Sequence, residues 1–346
     1  MKSENDISVT ECGGGECPVC KLPKGRFAPS PSGRMHLGNI FTALVSWLSV
    51  KSRGGKWILR IEDLDNQRSR DEYARQIEDD LLWLGLEWDE GGLSDSGDAA
   101  PYRQSLRHDV YAMALCRLDE AGLLYPCRCR RADILASQAP HQSDGRVVYA
   151  GTCRPSACPP FSTTIDDGQG VALRIYTPDD EICFHDRVFG YQRVNLGRDC
   201  GDFVMRRSDG GWAYQLAVVV DDALMGVTEV VRGCDLLLST AQQLYLYRLL
   251  GYSSPEFMHL PLICNKGGLR LSKRDGALDA ESLRSRFSPR ELIGRLACMA
   301  GILSSPEPVA PEDLLSLFSP DLIPQKKSVM VEDGLCWQTT ERSSDN

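Results

Sequence analysis

Residues 28–39, APSPSGRMHLGN, place two prolines, two glycines and a histidine directly before the apolar run IFTALVSWL. A glycine-containing loop that opens a helix directs backbone N–H groups and the positive end of the helix dipole at a bound anion. Gly33 and Gly38 would let the anion approach the backbone, and His36 and Asn39 would add hydrogen bonds without a fixed charge. This chemistry suits a phosphate. The alternative is a proline-glycine turn whose histidine only caps the helix.

Cysteine spacing indicates a metal site elsewhere in the chain. Cys127 and Cys129 in PCRCRR and Cys153 in YAGTC could supply three thiolates, and three thiolates with one further ligand form a closed tetrahedral zinc site. The fourteen cysteines are spread over 346 residues without an apolar export signal at the N terminus, so reduced thiols are favoured over a disulfide scaffold. A weaker metal candidate is CGGGECPVC, with Cys12, Cys17 and Cys20, which we interpret as part of a leader without a metal.

Composition narrows the class of protein. A content of 42% apolar and 25% charged residues is ordinary for a globular protein with a buried core. The apolar run YQLAVVV ends at Asp221 and Asp222, far short of a bilayer span. We therefore expect a cytoplasmic protein with no membrane partner, and a monomer by default. The net charge of −9 disfavours general binding of polyanions, although a local basic surface could still hold nucleic acid.

Strands and helices are expected to alternate around the loop of residues 28–39. The pattern predicts a strand and loop over GRFAPSPS, a helix over NIFTALVSWLSVK, a strand over KWILRIEDLD and a helix over DEYARQIEDDLLWLGLEW. This order is typical of an α/β fold with a parallel, Rossmann-type sheet. The strand DFVMRR, the helix WAYQLAVVVDDALMG, the strand VTEVVRG and the helix DLLLSTAQQLYLYRLLG are expected to resume it later.

The chain between these two halves differs in character. We expect it to form an inserted α+β domain that carries the zinc site, with antiparallel strands over VALRIY and EICFHDRVFGYQRVNL. The predicted division is a flexible extension (1–24), the first half of the nucleotide-binding domain (25–112), the insertion (113–200), the second half (201–252), a loop and helical appendix (253–304) and a tail (305–346). Ser288, Pro289 and Glu291 predict a capping box at the start of the appendix helix. Residues 325–346 are expected to be disordered.

Two separated motifs connect these features to a known family. HLGN at 36–39 and RLSKR at 270–274 resemble the paired HIGH and KMSKS signatures of class I aminoacyl-tRNA synthetases. RFAPSPSGRMHLGN, ILRIEDLD, WAYQLA and VVRGCDLL resemble the glutamyl-tRNA synthetase branch in particular. The resemblance runs from about residue 25 to residue 302 and keeps the order of the motifs.

The resemblance implies a site for ATP, with Mg²⁺ bound to its phosphates. In the family pattern His36 and Asn39 contact the phosphates, Gly38 leaves room for the adenosine, and Lys273 holds the departing pyrophosphate. Negative charge that builds on phosphate oxygens is stabilised by such aimed dipoles and cations. Without the second motif, Lys273 would be interpreted as an ordinary solvated lysine.

The resemblance also implies a site for L-glutamate. Glu62 would accept the α-ammonium group, and Arg26 and Arg232 would face the two carboxylates. Which arginine takes which carboxylate stays open. The pocket would be closed by Tyr214 and by the segment Arg26, Phe27, Ala28, Pro29 and Ser30.

For the metal site, the C-x-C and Y-x3-C arrangement resembles a zinc site in truncated glutamyl-tRNA synthetase relatives, in which Tyr149 would be the fourth ligand. Phenolate is an uncommon zinc ligand, so His141 or Cys158 remains an alternative. One structural zinc ion per chain is expected, bound by Cys127, Cys129, Cys153 and the fourth ligand.

The shortness of the chain after the appendix predicts that the anticodon-binding domain of an ordinary glutamyl-tRNA synthetase is absent. The resemblance is therefore to the free-standing paralogues, which activate glutamate with ATP without tRNA and transfer it to the queuosine base at the wobble position of tRNA(Asp). Two alternatives remain. One is a truncated synthetase that charges the 3′ end of tRNA(Glu) or tRNA(Gln), and the other is a catalytically silent tRNA-binding paralogue.

Overall fold

The computed structural model describes residues 22–130, 148–156, 170–264 and 278–331. Its strands are β1 (Lys24–Phe27), β2 (Lys56–Leu59), β3 (Glu90–Gly91), β4 (Leu124–Cys127), β5 (Ala172–Ile175), β6 (Glu181–Asp186), β7 (Gly190–Asn195), β8 (Phe203–Arg206), β9 (Glu229–Gly233), β10 (Glu256–Leu260), β11 (Leu262–Cys264) and β12 (Ser328–Met330). Its α-helices are α1 (Leu37–Lys51), α2 (Asp71–Trp83), α3 (His108–Glu120), α4 (Tyr214–Leu224), α5 (Leu237–Leu250), α6 (Ala280–Arg286) and α7 (Pro289–Met299).

Seven strands form the main sheet, in the order β3-β2-β1-β9-β10-β6-β7. β1 pairs in parallel with β2 on one side and with β9 on the other, and β9 pairs in parallel with β10. The chain runs outward from β1 in one direction and from β9 in the other, so the strand order reverses between them. Ligands of open α/β sheets bind outside the carboxyl ends of the strands at such a point. The predicted α/β fold with a mostly parallel sheet is confirmed.

α1 follows β1 and is covered on two sides. Most of its residues are buried, from Leu37 to Val50, and it packs against β1, β2 and β9 of the sheet and against α7. A helix that is apolar nearly all round requires such cover. At Gly25 in β1 a Cβ atom would lie 2.4 Å from Cγ2 of Val50. Glycine therefore allows the C-terminal end of α1 to pack closely against the start of β1.

A second layer of helices covers other residues of the sheet. α4 packs against α3 and α5, and the fully buried side chains of Tyr111, Leu216 and Leu246 join the core between these helices and strands such as β2 and β9. Near its C-terminal end, α4 carries Asp221 and Asp222, which are almost completely buried although they are acidic. Buried carboxylates require partners. Asp221 pairs with Arg107 at 2.6 Å, and the partners of Asp222 lie beneath the functional cleft described below.

Strands from the middle of the chain occupy two different places. β4, β5 and β8 form a separate three-stranded antiparallel sheet, whereas the hairpin β6–β7 extends the main sheet beside β10. The expectation that β8 resumes the parallel alternation is wrong, because β8 pairs antiparallel with β5. An alternating apolar pattern predicts a strand but does not specify its partner. The domain boundaries at residues 113 and 200 stay a prediction. Two strand pairs, β5–β8 and β6–β10, join the predicted insertion to the rest of the chain.

The described C-terminal residues pack near α1. Ser288 caps α7 and Glu291 completes the predicted capping box. Farther on, β12 pairs in parallel with β11 and Val331 is buried. The expectation of a disordered tail over residues 325–346 is therefore wrong for β12 and Val331, because β11 supplies backbone partners and the α1 core accepts the valine. Residues 332–346, and Cys12, Cys17 and Cys20 at the N terminus, lie outside the described residues.

In the ranges described above, no helix has both the length and the apolar character that crossing a lipid bilayer would demand.

Candidate active site

A cleft of about 730 Å³ opens at the carboxyl ends of β1 and β9, where the strand order of the main sheet reverses. Its lining includes all the residues that sequence analysis assigned to ATP or glutamate, apart from Lys273. These residues are Arg26, Phe27, Ala28, Pro29, Ser30, His36, Gly38, Asn39, Glu62, Tyr214 and Arg232. The sheet thus brings together side chains that lie more than 200 positions apart in the sequence.

His36 is the N-cap residue of α1. Its Nδ1 accepts a hydrogen bond from the backbone N–H of Gly38 at 3.1 Å, and the side-chain oxygen of Asn39 accepts one from the backbone N–H of His36 at 3.1 Å. The two side chains therefore form a capping box, as the alternative interpretation of the histidine expected. Both residues also line the cleft, and the first turn of α1 carries no acidic residue. The positive end of this helix can therefore attract an anion.

Gly38 is needed for this arrangement of the imidazole ring. A Cβ atom at Gly38 would lie 3.0 Å from Cε1 and 3.1 Å from Nδ1 of His36, which is tighter than ordinary van der Waals contact. Sequence analysis assigned Gly38 to the space for the adenosine. The structure adds a second reason for glycine, because the ring of His36 lies against this position.

Lys273 lies outside the described residues, but both flanks of its segment lie at the cleft. Leu262 and Ile263 of β11 line the cleft before the segment. After it, Asp279 forms an antiparallel bridge with His36, and the backbone N–H of Ala280 donates to the carbonyl of Met35 at 2.8 Å. The segment that carries Lys273 therefore leaves and rejoins the described structure beside the N terminus of α1.

Arg26, Arg232 and Glu62 meet in the cleft, whose lining also includes Arg34 and Asp235. Arg26 comes from β1, Arg232 from β9, and Glu62 follows β2. The guanidinium of Arg26 donates to the backbone carbonyl of Val231 at 3.3 Å and pairs with Asp222 at 3.4 Å. A zwitterion with an additional carboxylate would require this combination of one acid and two cations.

Sequence analysis missed Arg60, which lies beneath this charge set. Arg60 is fully buried and donates to Asp222 at 2.6 Å and to Glu62 at 3.1 Å. Burial alone would raise the pKa of Asp222, but Arg60 and Arg26 lower it below its usual value. Burial raises the pKa of Glu62, and Arg60 and Arg26 offset only part of the rise. An arginine inside the apolar strand ILRIED was the available signal, because buried charges need partners.

The three predicted thiols form a cluster near the end of β4. The Sγ atoms of Cys127, Cys129 and Cys153 all lie within 4.8 Å of one another. The Tyr149 hydroxyl lies 3.5 Å from Sγ of Cys127 and 3.7 Å from Sγ of Cys129, and the Cys129 and Cys153 sulfurs are 3.5 Å apart. A tetrahedral zinc ion with bonds of about 2.3 Å separates its sulfur ligands by about 3.8 Å. The spacing therefore fits such an ion, with Tyr149 in the fourth position.

Neighbouring residues hold Tyr149 in this orientation. Its hydroxyl accepts a hydrogen bond from the backbone N–H of Cys153 at 2.7 Å, and the guanidinium carbon of Arg174 lies 3.8 Å from the centre of its ring. Burial raises the pKa of Cys153, but hydrogen bonds from the Arg128 backbone and from Tyr149 lower it to about 7. A thiol of this kind supplies a thiolate ligand readily. His141 and Cys158, the alternative ligands, lie outside the described residues.

A second cavity, of about 860 Å³, adjoins the cleft. The two spaces share Ser30, Glu62 and Tyr214, and the second cavity reaches Cys129 and Tyr149 of the thiol cluster. Its walls also contain charged and aromatic side chains, including Arg68, Arg174, Arg207 and Trp212. A large polar molecule could therefore reach the cleft from the side of the thiol cluster.

Comparison with known proteins agrees with this geometry. The family model described as class I tRNA synthetases (E and Q), catalytic domain, matches residues 24–332. A glutamate tRNA ligase from Elizabethkingia meningosepticum, solved in complex with its amino acid, superposes with a TM-score of 0.74 at 29% identity. The match covers 89% of this chain and 67% of that ligase.

Two curated relatives are more similar in sequence. A glutamyl-Q tRNA(Asp) synthetase from Symbiobacterium thermophilum is 49% identical over 306 residues, which cover 87% of this chain and 94% of the relative. A glutamyl-Q tRNA(Asp) synthetase from Nitratidesulfovibrio vulgaris is 44% identical over 315 residues, which cover 90% of this chain and 97% of the relative. The chain therefore belongs to the class I tRNA synthetases (E and Q), within the group of glutamyl-Q tRNA(Asp) synthetases.

Proposed function

We propose that this protein activates L-glutamate with ATP, without tRNA, and transfers the glutamyl group to queuosine at the wobble position of tRNA(Asp). The observation that carries the proposal is the shared cleft at the strand-order reversal, where the residues assigned to glutamate and to ATP lie side by side. The names of the curated relatives support the choice of tRNA(Asp) as the acceptor. ATP and tRNA are available in the cytoplasm, which is the expected compartment, and a monomer would suffice.

The charged residues of the cleft support a proposed contact for each part of glutamate. Glu62 receives the α-ammonium group, Arg26 and Arg232 receive the carboxylates, and Tyr214 lines the boundary with the second cavity. Each end of the substrate then meets a group of opposite charge, so glutamine would leave a buried arginine without its carboxylate partner. Selection would follow from charge as well as from length.

In the activation step, an oxygen of the glutamate α-carboxylate attacks the α-phosphorus of ATP. The bond between that phosphorus and the bridging oxygen breaks, and pyrophosphate leaves with the electron pair. His36, Asn39 and the N terminus of α1 stabilise the added charge on the phosphate oxygens, and Lys273 is proposed to hold the pyrophosphate. Mg²⁺ bound to the phosphates supplies further charge neutralisation.

In the transfer step, a hydroxyl of the queuosine cyclopentenediol attacks the carbonyl carbon of the glutamyl adenylate. The hydroxyl proton passes to the phosphate of the leaving AMP or to water, the mixed anhydride bond breaks, AMP leaves with its electron pair, and an ester is formed. The nucleoside would approach through the second cavity, which opens onto Glu62 and Tyr214 and contains Trp212 in its wall. Aromatic rings and arginines are the groups on which unstacked RNA bases are held.

The position of labelled glutamate on tRNA tests this function. The protein is incubated with ATP, labelled L-glutamate and tRNA(Asp), prepared with and without queuosine. We expect label in the anticodon arm of the queuosine-containing tRNA and none on the unmodified tRNA. Label at the 3′ end of tRNA(Glu) or tRNA(Gln) would establish the truncated synthetase instead, and no label on any tRNA would favour the silent paralogue. Transfer to tRNA whose 3′-terminal diol has been oxidised with periodate also separates the two positions, and unmodified tRNA is its control because periodate oxidises the queuosine diol too.

We further propose that Cys127, Cys129, Tyr149 and Cys153 bind one structural zinc ion per chain. The distances within the cluster and the position of the Tyr149 hydroxyl support this ligand set. The ion would tie β4 to residues 148–156 beside the second cavity. We expect one zinc per chain in the purified protein, loss of the metal in Cys153→Ser, and weaker binding in Tyr149→Phe. A metal content that is unchanged in Cys153→Ser would contradict the assignment, and Cys183→Ser, at an exposed free cysteine, is the control.

A further inference from the structure

A fully buried histidine lies directly beside Arg232. His259 is on β10 and Arg232 on β9, and the two residues are partners in the parallel register. Arg232 receives a glutamate carboxylate in the function proposed above, whereas His259 has no direct part in it. His259 is completely inaccessible to solvent, so it cannot contact a substrate itself. Its effect must pass through the groups that it touches.

The hydrogen bonds of His259 fix the position of its proton. Nε2 of His259 lies 3.1 Å from Nε of Arg232, and an arginine can only donate. Nε2 must therefore accept, which leaves the proton of the neutral ring on Nδ1. Nδ1 lies 2.6 Å from a carboxylate oxygen of Asp186 and donates to it. Burial lowers the pKa of His259, in agreement with a neutral ring.

Asp186 is held as firmly as the histidine. It is fully buried at the end of β6, and its carboxylate also accepts backbone N–H groups of Val188 at 3.1 Å, Phe189 at 2.8 Å and His259 at 3.1 Å. Asp186 belongs to the hairpin β6–β7, which joins the main sheet beside β10. The hairpin therefore contributes one carboxylate that orients the histidine behind the cleft.

The remaining partners of Arg232 are neutral. Nη1 donates to the side-chain oxygen of Gln243 at 2.7 Å, and Nη2 donates to the hydroxyl of Thr240 at 2.8 Å and to the carbonyl of Leu236 at 3.4 Å. Among the residues that the structure describes, no carboxylate forms an ion pair with this guanidinium. The arginine is thus fixed in place by neutral acceptors, and its charge remains available to a ligand in the cleft.

We propose that Asp186 and His259 are positioning residues for Arg232, which orient its guanidinium without neutralising it, so that a substrate carboxylate is its counter-ion. This inference rests on the proposed binding of glutamate in the cleft. It predicts that the pair acts on glutamate affinity and on discrimination against uncharged analogues, and that it leaves ATP affinity unchanged. A carboxylate in direct contact with Arg232 would cancel that preference for a charged ligand.

Two substitutions of the same residue separate positioning from a general structural role. In His259→Asn, the amide can still donate to Asp186, but it cannot reach Arg232. In His259→Gln, the longer side chain can place an acceptor near the position of Nε2. Loss of one buried hydrogen bond to a charged group predicts an increase in KM for glutamate of about tenfold or more in His259→Asn, and a smaller increase in His259→Gln.

The measurement is glutamate-dependent ATP–pyrophosphate exchange, with KM determined for glutamate and for ATP. Inhibition by L-glutamine is measured in parallel, and thermal melting checks the fold. His185→Asn, at the exposed neighbouring histidine of β6, is the matched control and should behave as the unsubstituted protein. Equal changes in both KM values, or equal effects of His259→Asn and His259→Gln, would overturn the inference. Absence of exchange in the unsubstituted protein would instead contradict the proposed function.

The tautomer offers a readout that needs no activity. The chain has five histidines, and a proton–nitrogen spectrum of histidine-labelled protein should contain one neutral ring protonated on Nδ1 that His259→Asn removes. In Asp186→Asn, an amide N–H that faces Nδ1 would force the proton to Nε2, where it would oppose the Nε–H of Arg232. We therefore expect the Nδ1 signal to disappear in that variant and KM for glutamate to rise. A ring at position 259 that is protonated on Nε2 in the unsubstituted protein would overturn the inference.

Discussion

A buried arginine lies on each side of the cleft, and the two differ in the charge of their hydrogen-bond partners. On the β1–β2 side, Arg60 donates to the carboxylates of Asp222 and Glu62. On the β9–β10 side, Arg232 is held by a histidine, a glutamine and a threonine. The charge of Arg60 is neutralised by carboxylates of the protein, so this arginine forms part of the scaffold. The second arginine has no carboxylate partner among the described residues, as its proposed role in binding a ligand carboxylate requires.

The pKa shifts follow the same contrast. Burial by itself would lower the pKa of Arg60, but Asp222, Glu62 and Asp221 raise it well above its usual value. Burial lowers the pKa of Arg232, because its surroundings offset too little of the lost hydration. Scaffold charges and ligand-binding charges can therefore be distinguished by their partners, even where both are buried at the same sheet.

The largest expected effect is on stability and comes from Arg60→Met. This substitution removes the closest cationic partner of the buried Asp222 carboxylate, at 2.6 Å, and a partner of the partly buried Glu62. Breaking a buried pair in this way costs about 3–5 kcal/mol in the free energy of unfolding. Denaturant unfolding measures the change. Arg193→Met, which breaks the exposed pair with Glu181, is the control and should cost less than about 1 kcal/mol. Similar losses in both variants would refute the distinction between the two kinds of pair.

The next effect is on substrate affinity and comes from Arg232→Met. Removal of a charged hydrogen-bond donor to a ligand carboxylate should lower kcat/KM for glutamate by about 100-fold or more. The loss of stability should be smaller than in Arg60→Met, because no buried carboxylate loses its partner. Exchange kinetics and denaturant unfolding test whether Arg60→Met has the larger effect on stability and Arg232→Met the larger specific effect on glutamate. A greater loss of stability in Arg232→Met than in Arg60→Met would refute it.

The smallest effect is the pH dependence of glutamate binding. In the proposed glutamate site the ammonium group of the substrate would require ionised Glu62, and burial raises the pKa of Glu62 in the open cleft. The affinity for glutamate is therefore greatest at pH values above the raised pKa of Glu62. It falls as the pH is lowered through that pKa, by at most about tenfold per pH unit. As the pH is lowered, we expect KM for the substrate glutamate to begin to rise at a pH above the pKa of an unperturbed glutamate side chain. Glu62→Gln should bind weakly with no such rise, and a pH-independent KM in the unsubstituted protein would count against the role of Glu62.

The loop before α1 was predicted as an anion site from its residues, whereas Arg26 and Glu62 were assigned from the family resemblance, and the fold gives a physical reason why they meet. Arg26, His36 and Glu62 stand at the ends of strands or at the start of a helix, and the carboxyl ends of parallel strands meet at one edge of a sheet. Short-range sequence patterns predict where strands end and helices begin, and therefore predict such positions. The capping box of His36 and Asn39 was likewise a local feature, since it joins residues three positions apart.

The partners of the buried charges could not be found in this way. Arg60 and Asp222 are 162 positions apart, and His259 and Asp186 are 73 positions apart. Their pairing depends on which strands and helices are neighbours, and a periodic pattern does not specify neighbours. The same limit explains why β8 was expected beside the wrong strands. The pairing of β12 with β11 was missed because three residues are too short for an alternating pattern to be distinctive.

Exchange of labelled pyrophosphate into ATP, with glutamate and without tRNA, tests the central claim that the cleft activates glutamate by itself. The account predicts exchange that depends on L-glutamate in the unsubstituted protein, and strongly reduced exchange in Arg232→Met at the same glutamate concentration. Exchange that requires tRNA, or that is unchanged by removal of the Arg232 guanidinium, would contradict it.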